Sequence, residues 1–205
     1  MTNGKPKSDE SKYIEGIEES EKENGLVESV TDTVSLTPNR YEQLKKLVHG
    51  NDTFAKITSA EKRYLIIGRG RGEMRHKKRV KELLGSRRSA ITFEFEEFKP
   101  KTDDIGLWPP VFDLFSKTAT HIVGVVEDYD GGGVWDMGLL YHRQSHVHDS
   151  LWILKRVYDN QNINHERYGS GKAASRLGAL EEAVEDRVIK WQTEEDLRDA
   201  VKEIP

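Results

Sequence analysis

The chain contains no cysteine. Disulfides, zinc–thiolate centres and a thiol nucleophile are therefore excluded. Long apolar runs are absent as well. No stretch approaches the roughly 20 residues a membrane-spanning helix needs, and the first residues carry no apolar signal core. A cytoplasmic protein without a membrane partner is the expectation. Basic excess is missing too: 32 Lys and Arg stand against 36 Asp and Glu, a net charge of −4. DNA or RNA as a partner calls for a basic face, so neither is expected.

What remains is polar: 35% hydrophobic against 33% charged residues over 205 positions. That length suffices for one compact domain with extensions. The polar excess gathers in "MTNGKPKSDESKYIEGIEESEKENGLVESVTDTVSLTP", residues 1–38, where acids outnumber bases and large apolar residues are sparse. Such a segment buries too little surface to offset its ordering entropy. It reads as a flexible acidic arm, with a partner-binding tail as the alternative. Residues 39–62 form a helical extension: Tyr41, Leu44, Leu47 and Val48 fall at helical spacing before Gly50-Asn51, and "TSAEKR" adds a short turn.

From residue 63 to 205 apolar strands alternate with amphipathic helices. "RYLIIG", "SAITFEFEEF", "THIVGVVED", "DSLWILKRVYD" and "RVIKWQ" read as strands. "MRHKKRVKELLGS", "WPPVFDLFSKTA", "VWDMGLLYHRQ", "SRLGALEEAVED" and "TEEDLRDAVKEI" read as helices, the last capped by Thr193. "NQNINHERYGSGKAA" reads as a polar loop. The alternation predicts a flavodoxin-like doubly wound α/β fold with about five parallel strands. Ligands of such folds sit beyond the carboxyl ends of the strands, which directs attention to the loops after Ile67, Phe98 and Val126.

Two of those loops are rich in glycine. In "GRGRGE", Gly68 and Gly70 let a ligand approach the backbone, a helix start follows, and Arg69 and Arg71 offer paired N–H groups to a phosphate or carboxylate. The spacing departs from the dinucleotide fingerprint, since Glu73 stands where its third glycine would be. In "EDYDGGGVWDMG", Glu127, Asp128 and Asp130 follow a buried strand, and Gly131, Gly132 and Gly133 lead to Trp135 and Asp136. Asp136 is either a helix-start carboxylate that gains from the helix dipole or a group that attacks or stabilises an electrophilic anomeric carbon. Trp135 and Trp108 can stack on a base or pack in the core. Asp113, the odd polar residue of "VFDLF", meets a ribose hydroxyl or solvent. "RHKKR", residues 75–79, reads as a solvated basic face. His146 and His148 have no third ligand in view, so no metal is expected there.

The apolar strand, the acidic loop and "GGGVWDMGLLYH" together resemble the nucleoside 2-deoxyribosyltransferase-like group, whose pattern is strand, D-x-G-T/V-x-x-E-x-G, helix. "YLIIG" and "FDLFSKTATHIVGVV" fit the same group, and TIR-like NAD-cleaving domains share the related fold. The resemblance spans Tyr64 to Ile153. It implies a nucleoside or nucleotide as the small-molecule partner, cleavage or exchange of its N-glycosidic bond without a cofactor, and a homo-oligomer whose subunits can share a site. The group's catalytic Glu falls on Asp136, and its following glycine on Gly138. Asp is one methylene shorter, and a displacement of that size costs ~100-fold in rate if nothing compensates. Arg69 and Arg71 replace the Tyr or Pro usual after the first strand and favour a phosphorylated ligand. A non-catalytic nucleotide-sensing or protein-interaction domain is the alternative from another functional class.

Overall fold

The computed structural model describes residues 37–49, 52–68, 75–98, 108–129, 137–139, 147–169 and 172–205. Five parallel strands form one sheet in the order β2-β1-β3-β4-β5. The strands are β1 (Lys62–Gly68), β2 (Ala90–Phe93), β3 (His121–Val126), β4 (Leu151–Arg156) and β5 (Val188–Trp191). This is the flavodoxin-like order that the strand–helix alternation predicts. The helices are α1 (Pro38–His49), α2 (Asp52–Ser59), α3 (Arg75–Gly85), α4 (Trp108–Thr118), α5 (Val147–Ser150), α6 (Gln161–Tyr168), α7 (Lys172–Val184) and α8 (Glu194–Glu203).

Alternation along the strands builds two cores. Leu65, Ile67, Ile122 and Ile153 point to one face, where α1, α2, α4 and α7 cover them through Leu44, Phe54, Phe115 and Leu180. Tyr64, Ile66, Val123 and Leu154 point to the other, against Val80 and Leu84 of α3 and Leu197 and Val201 of α8. The extension over residues 39–62 thus contributes to the main core. Gly124 of β3 makes room on the first face: a β-carbon there would lie 2.6 Å from Met137 Sδ. Met137, the residue after Asp136, is buried in that core.

Three segments differ from the sequence expectation. "SAITFEFEEF" keeps only Ala90–Phe93 as strand and turns into a 3-10 helix at Phe95–Phe98. That turn brings two rings to one side, with Phe95 stacked 4.5 Å from Phe112 and Phe98 4.3 Å from Phe115. Of "TSAEKR", Thr58 and Ser59 end α2, whose Phe54 and Ile57 are buried, and Lys62 and Arg63 begin β1. The polar loop "NQNINHERYGSGKAA" contains α6, started by Asn160, whose side chain accepts from Asn162 N at 2.8 Å. No residue of α6 is buried, so it carries no apolar period. The acidic arm up to residue 36 and Gly50-Asn51 lie outside the described residues. Among the described residues no helix is long and apolar enough to cross a membrane.

Candidate functional site at the carboxyl edge of the sheet

β1 and β3 run side by side, with Gly68 opposite Val125. From β1 the chain returns through α3 on one face. β3 is reached through α4 on the other. Between these two strands the winding reverses, the place at which doubly wound folds bind ligands beyond the carboxyl ends. Segment 69–74 begins at one of these ends, and segment 130–136 begins four residues past the other. Gly68 has a steric reason to be glycine. A β-carbon there would lie 3.2 Å from both Lys77 Cδ and Val125 O.

The first turn of α3 is pinned by three successive residues, each to a carboxylate on a different element. Arg75 pairs with Glu194 of α8. His76 Nδ1 lies 3.0 Å from Glu127 Oε1, just past β3. Lys77 Nζ lies 2.8 Å from Glu94 Oε2, just past β2. His76 and Lys77 reach in opposite directions and straddle the exit of β1. Their side chains are only 10% and 5% exposed, which corrects the reading of "RHKKR" as a solvated face at these two positions, while Arg75 and Lys78 are exposed. Burial pushes the Glu94 carboxyl up, but hydrogen bonds and charge from Lys77 and Lys81 outweigh it and hold it below the usual carboxylate range.

The exit of β3 is clamped as firmly. Glu127 accepts at Oε2 from Arg156 Nη1 at 2.8 Å, and Tyr158 OH donates to Glu127 O at 2.9 Å. Asp128 Oδ2 pairs with Arg167 Nη1 of α6 at 3.2 Å. Tyr129 N donates to Arg167 O at 2.9 Å, and Tyr129 OH donates to Glu181 of α7 at 2.9 Å. Lys155 Nζ lies 2.7 Å from Glu181 and sits over the rings of Tyr129 and Tyr168. Burial pushes both phenols well above their ordinary range, with Glu181 adding to it at Tyr129 and Tyr158 at Tyr168. Trp191, at the end of β5, packs its ring 4.8 Å from His76 and 5.2 Å from the Arg156 guanidinium. Its Nε1 and Arg156 Nε are buried without hydrogen-bond partners among the described residues.

Of the residues singled out from the sequence, Gly68 and Asp128 stand at this edge, on the exits of neighbouring strands. Asp113 does not join them. It is 0% exposed at the midpoint of α4, so it does not face solvent. Arg69, Gly70, Arg71, Gly131, Gly132, Gly133, Trp135 and Asp136 lie outside the described residues, as does His146. His76, Lys77, Glu94, Arg156, Tyr158 and Arg167 were not anticipated here. The available signal was an acid immediately after β2 and after β3, Glu94 after Phe93 and Glu127 after Val126, since a carboxylate at a packed edge needs a cation.

Chemically the edge offers an imidazole fixed to a carboxylate, guanidinium groups beside them, and two helix starts at which anions are favoured. Among the described residues no group of three or more His, Asp or Glu could hold a metal ion. Comparison with protein-family models, curated proteins and solved structures returned no match. The class is defined by the fold: a flavodoxin-like doubly wound α/β protein with a polar, ion-paired carboxyl edge.

Proposed function

We propose that this protein binds a nucleotide or nucleoside in the crevice between β1 and β3 and cleaves or exchanges its N-glycosidic bond. The reading combines the resemblance to the nucleoside 2-deoxyribosyltransferase-like group with one structural observation. The His76–Glu127 hydrogen bond joins the helix that follows the first glycine-rich segment to the residue that precedes the second. In this reading Arg69 and Arg71 hold phosphate, Gly68 and Gly70 let it approach the backbone, and Gly131, Gly132, Gly133 and Trp135 shape the sugar–base pocket. Asp136 attacks or stabilises the anomeric carbon. Met137, buried against Gly124, anchors the chain directly after Asp136.

Purified protein incubated with nucleosides, nucleotides and NAD tests the reading through release of free base. Asp136→Asn is expected to lower release on the order of 1000-fold while ligand affinity stays close to wild type, because a nucleophile acts on the reaction and not on binding. A second reading, non-catalytic nucleotide sensing, is favoured by one feature: the carboxylate at position 136 is one methylene shorter than the group's glutamate. Binding without base release from any member of the panel selects it.

A further inference from the structure

We propose that the acidic stretch Glu18–Glu23, in the segment that precedes α1, docks in the outer groove between α3 and α8 of its own chain. The two helices lie on the same face of the sheet. Along them run three depressions lined by described residues. The first and second share Arg198, and the second and third share Arg87 and Lys202. They form one groove, from Arg75 in the first turn of α3 to Lys62 and Pro205 at the amino edge of the sheet. α8 sets its length: ten residues of helix span about 15 Å. An extended chain covers that distance in about five residues.

Part of the charge in the groove is matched internally. Arg75 pairs with Glu194, Arg79 with Glu82 and Lys202 with Asp199. Arg87 is held by main-chain carbonyls. Lys78 and Arg198 at one end, and Arg88 and Lys62 at the other, have no ion pair among the described residues. Only Glu195 and Glu61 are acids in the same position. Positive charge is therefore left over at both ends. His121, at the start of β3, senses it: burial holds its pKa below the ordinary value, and Lys62 and Arg87 push it further down.

The chain itself supplies the complement. Residues 1–36 hold nine Asp and Glu against four Lys. In "EESEKE", Glu18, Glu19, Glu21 and Glu23 stand within six residues, with Lys22 as the one base. Six extended residues cover about 20 Å, which matches the groove. α1 starts at Pro38 and packs on the opposite face of the sheet, so the connection must round an edge. The 14 steps from Glu23 to Thr37 reach up to about 45 Å. A sheet with helices on both faces is roughly 30 Å thick. Docking within one chain also needs little intrinsic affinity, because a short connection holds the partner at roughly millimolar effective concentration. This docking is independent of the reaction proposed for the carboxyl edge.

The absence of cysteine allows the test on the full chain. One spin label is placed at Ser20→Cys, in the acidic stretch. The other is placed at Ser86→Cys, exposed at the end of α3, or at Ala179→Cys, exposed on α7 of the opposite face. Pulsed dipolar resonance is expected to give a narrow, short distance from position 20 to 86 and a broad, long one from 20 to 179. Raising salt from about 0.1 M to about 1 M shortens the screening length from about 10 to about 3 Å and is expected to remove the narrow peak. Lys78→Glu with Arg198→Glu, both at exposed positions, is expected to lower its population about fivefold or more. Adding Glu19→Lys and Glu21→Lys to that protein is expected to restore it. The salt series needs no charge variant, so it decides if the double reversal fails to fold. Equally broad distances to 86 and 179, or a narrow peak indifferent to salt and to the reversals, overturn the docking. So does a peak that disappears when labelled chains are diluted with unlabelled ones, since the acidic stretch would then sit on a second copy.

Discussion

The two edges of this sheet use cations in opposite ways. At the amino edge, arginines donate to main-chain carbonyls. Arg63 reaches Ala60 O at 2.8 Å, beyond the end of α2, and Thr118 O at 2.6 Å, at the end of α4. Arg87 reaches Val201 O and Ile204 O at the end of α8, each at 2.6 Å. Arg187 donates to His148 O. In a doubly wound fold the helices end at this edge, with unsatisfied carbonyls and negative dipole ends, and guanidinium groups answer both. At the carboxyl edge the helices begin, and the cations meet carboxylates instead: His76 and Arg156 on Glu127, Lys77 on Glu94, Arg167 on Asp128, Lys155 on Glu181. Main-chain carbonyls do not titrate and do not exchange. Carboxylates and imidazole do both. The amino edge therefore contributes stability, and the carboxyl edge contributes stability together with groups that can serve a reaction.

The comparison breaks most visibly at Arg87. Its guanidinium bonds Tyr64 OH, Val201 O, Ile204 O and Pro205 O. Arg87→Ala removes one donor from each of these acceptors, although Val201 O keeps Ile204 N and Pro205 O keeps Tyr64 OH, and is expected to cost about 3 kcal/mol in denaturant unfolding, with the proposed nucleotide binding at the opposite edge unchanged. A loss of binding out of proportion to the loss of fold would show that the two edges are not separate.

Glu94 sharpens the contrast through pH. Glu94→Gln leaves Lys77 largely buried with Glu96 as substitute 3.6 Å away. The expected loss is about 2–3 kcal/mol, below the ~3–5 kcal/mol of a pair with no substitute. Because the folded carboxyl is held below its ordinary value of about 4.5, its contribution is complete above that value and fades as pH falls through the folded value. The wild-type protein is therefore expected to lose stability on the acid side more steeply than Glu94→Gln, as chemical unfolding at a series of pH values would show. Identical acid limbs would mean that the pair does not couple to folding.

Much of this architecture is legible from residue patterns because it rests on local periodicity. "THIVGVV" is apolar on both faces and becomes the strand between β1 and β4. "TEEDLRDAVKEI" becomes α8 with the expected cap. What escapes lacks a local signature. α6 has no fully buried residue, and only Tyr168 packs partly against the core, so its eight residues look like a loop. Its Arg167 and Tyr168 nonetheless reach the exits of β3 and β4. His76 and Lys77 sit in a run of cations, and only partners 51 and 17 positions away turn them inward. Long-range pairing of this kind is invisible to any window along the chain. The strand–helix alternation directs attention to the strand exits. Their ion-paired frame was not legible.

The smallest effect concerns α8, which spans both edges. Its C-terminal carbonyls are met by Arg87. At its start Thr193 and Asp196 exchange hydrogen bonds with each other's backbone N–H, at 3.2 and 2.9 Å. Backbone N–H groups from Thr193 and Gln192 hold the Asp196 carboxyl below its ordinary range. Here the anion that a helix start favours is supplied by the helix itself. Thr193→Ala removes one of these acceptors at an exposed position and is expected to cost about 1 kcal/mol, well under Arg87→Ala on the same helix. Thr193→Ser keeps the oxygen and should restore most of the loss. If Thr193→Ala proved as damaging as Arg87→Ala, the two ends of α8 would be equally committed to stability. The asymmetry between the two edges would then not extend to this helix.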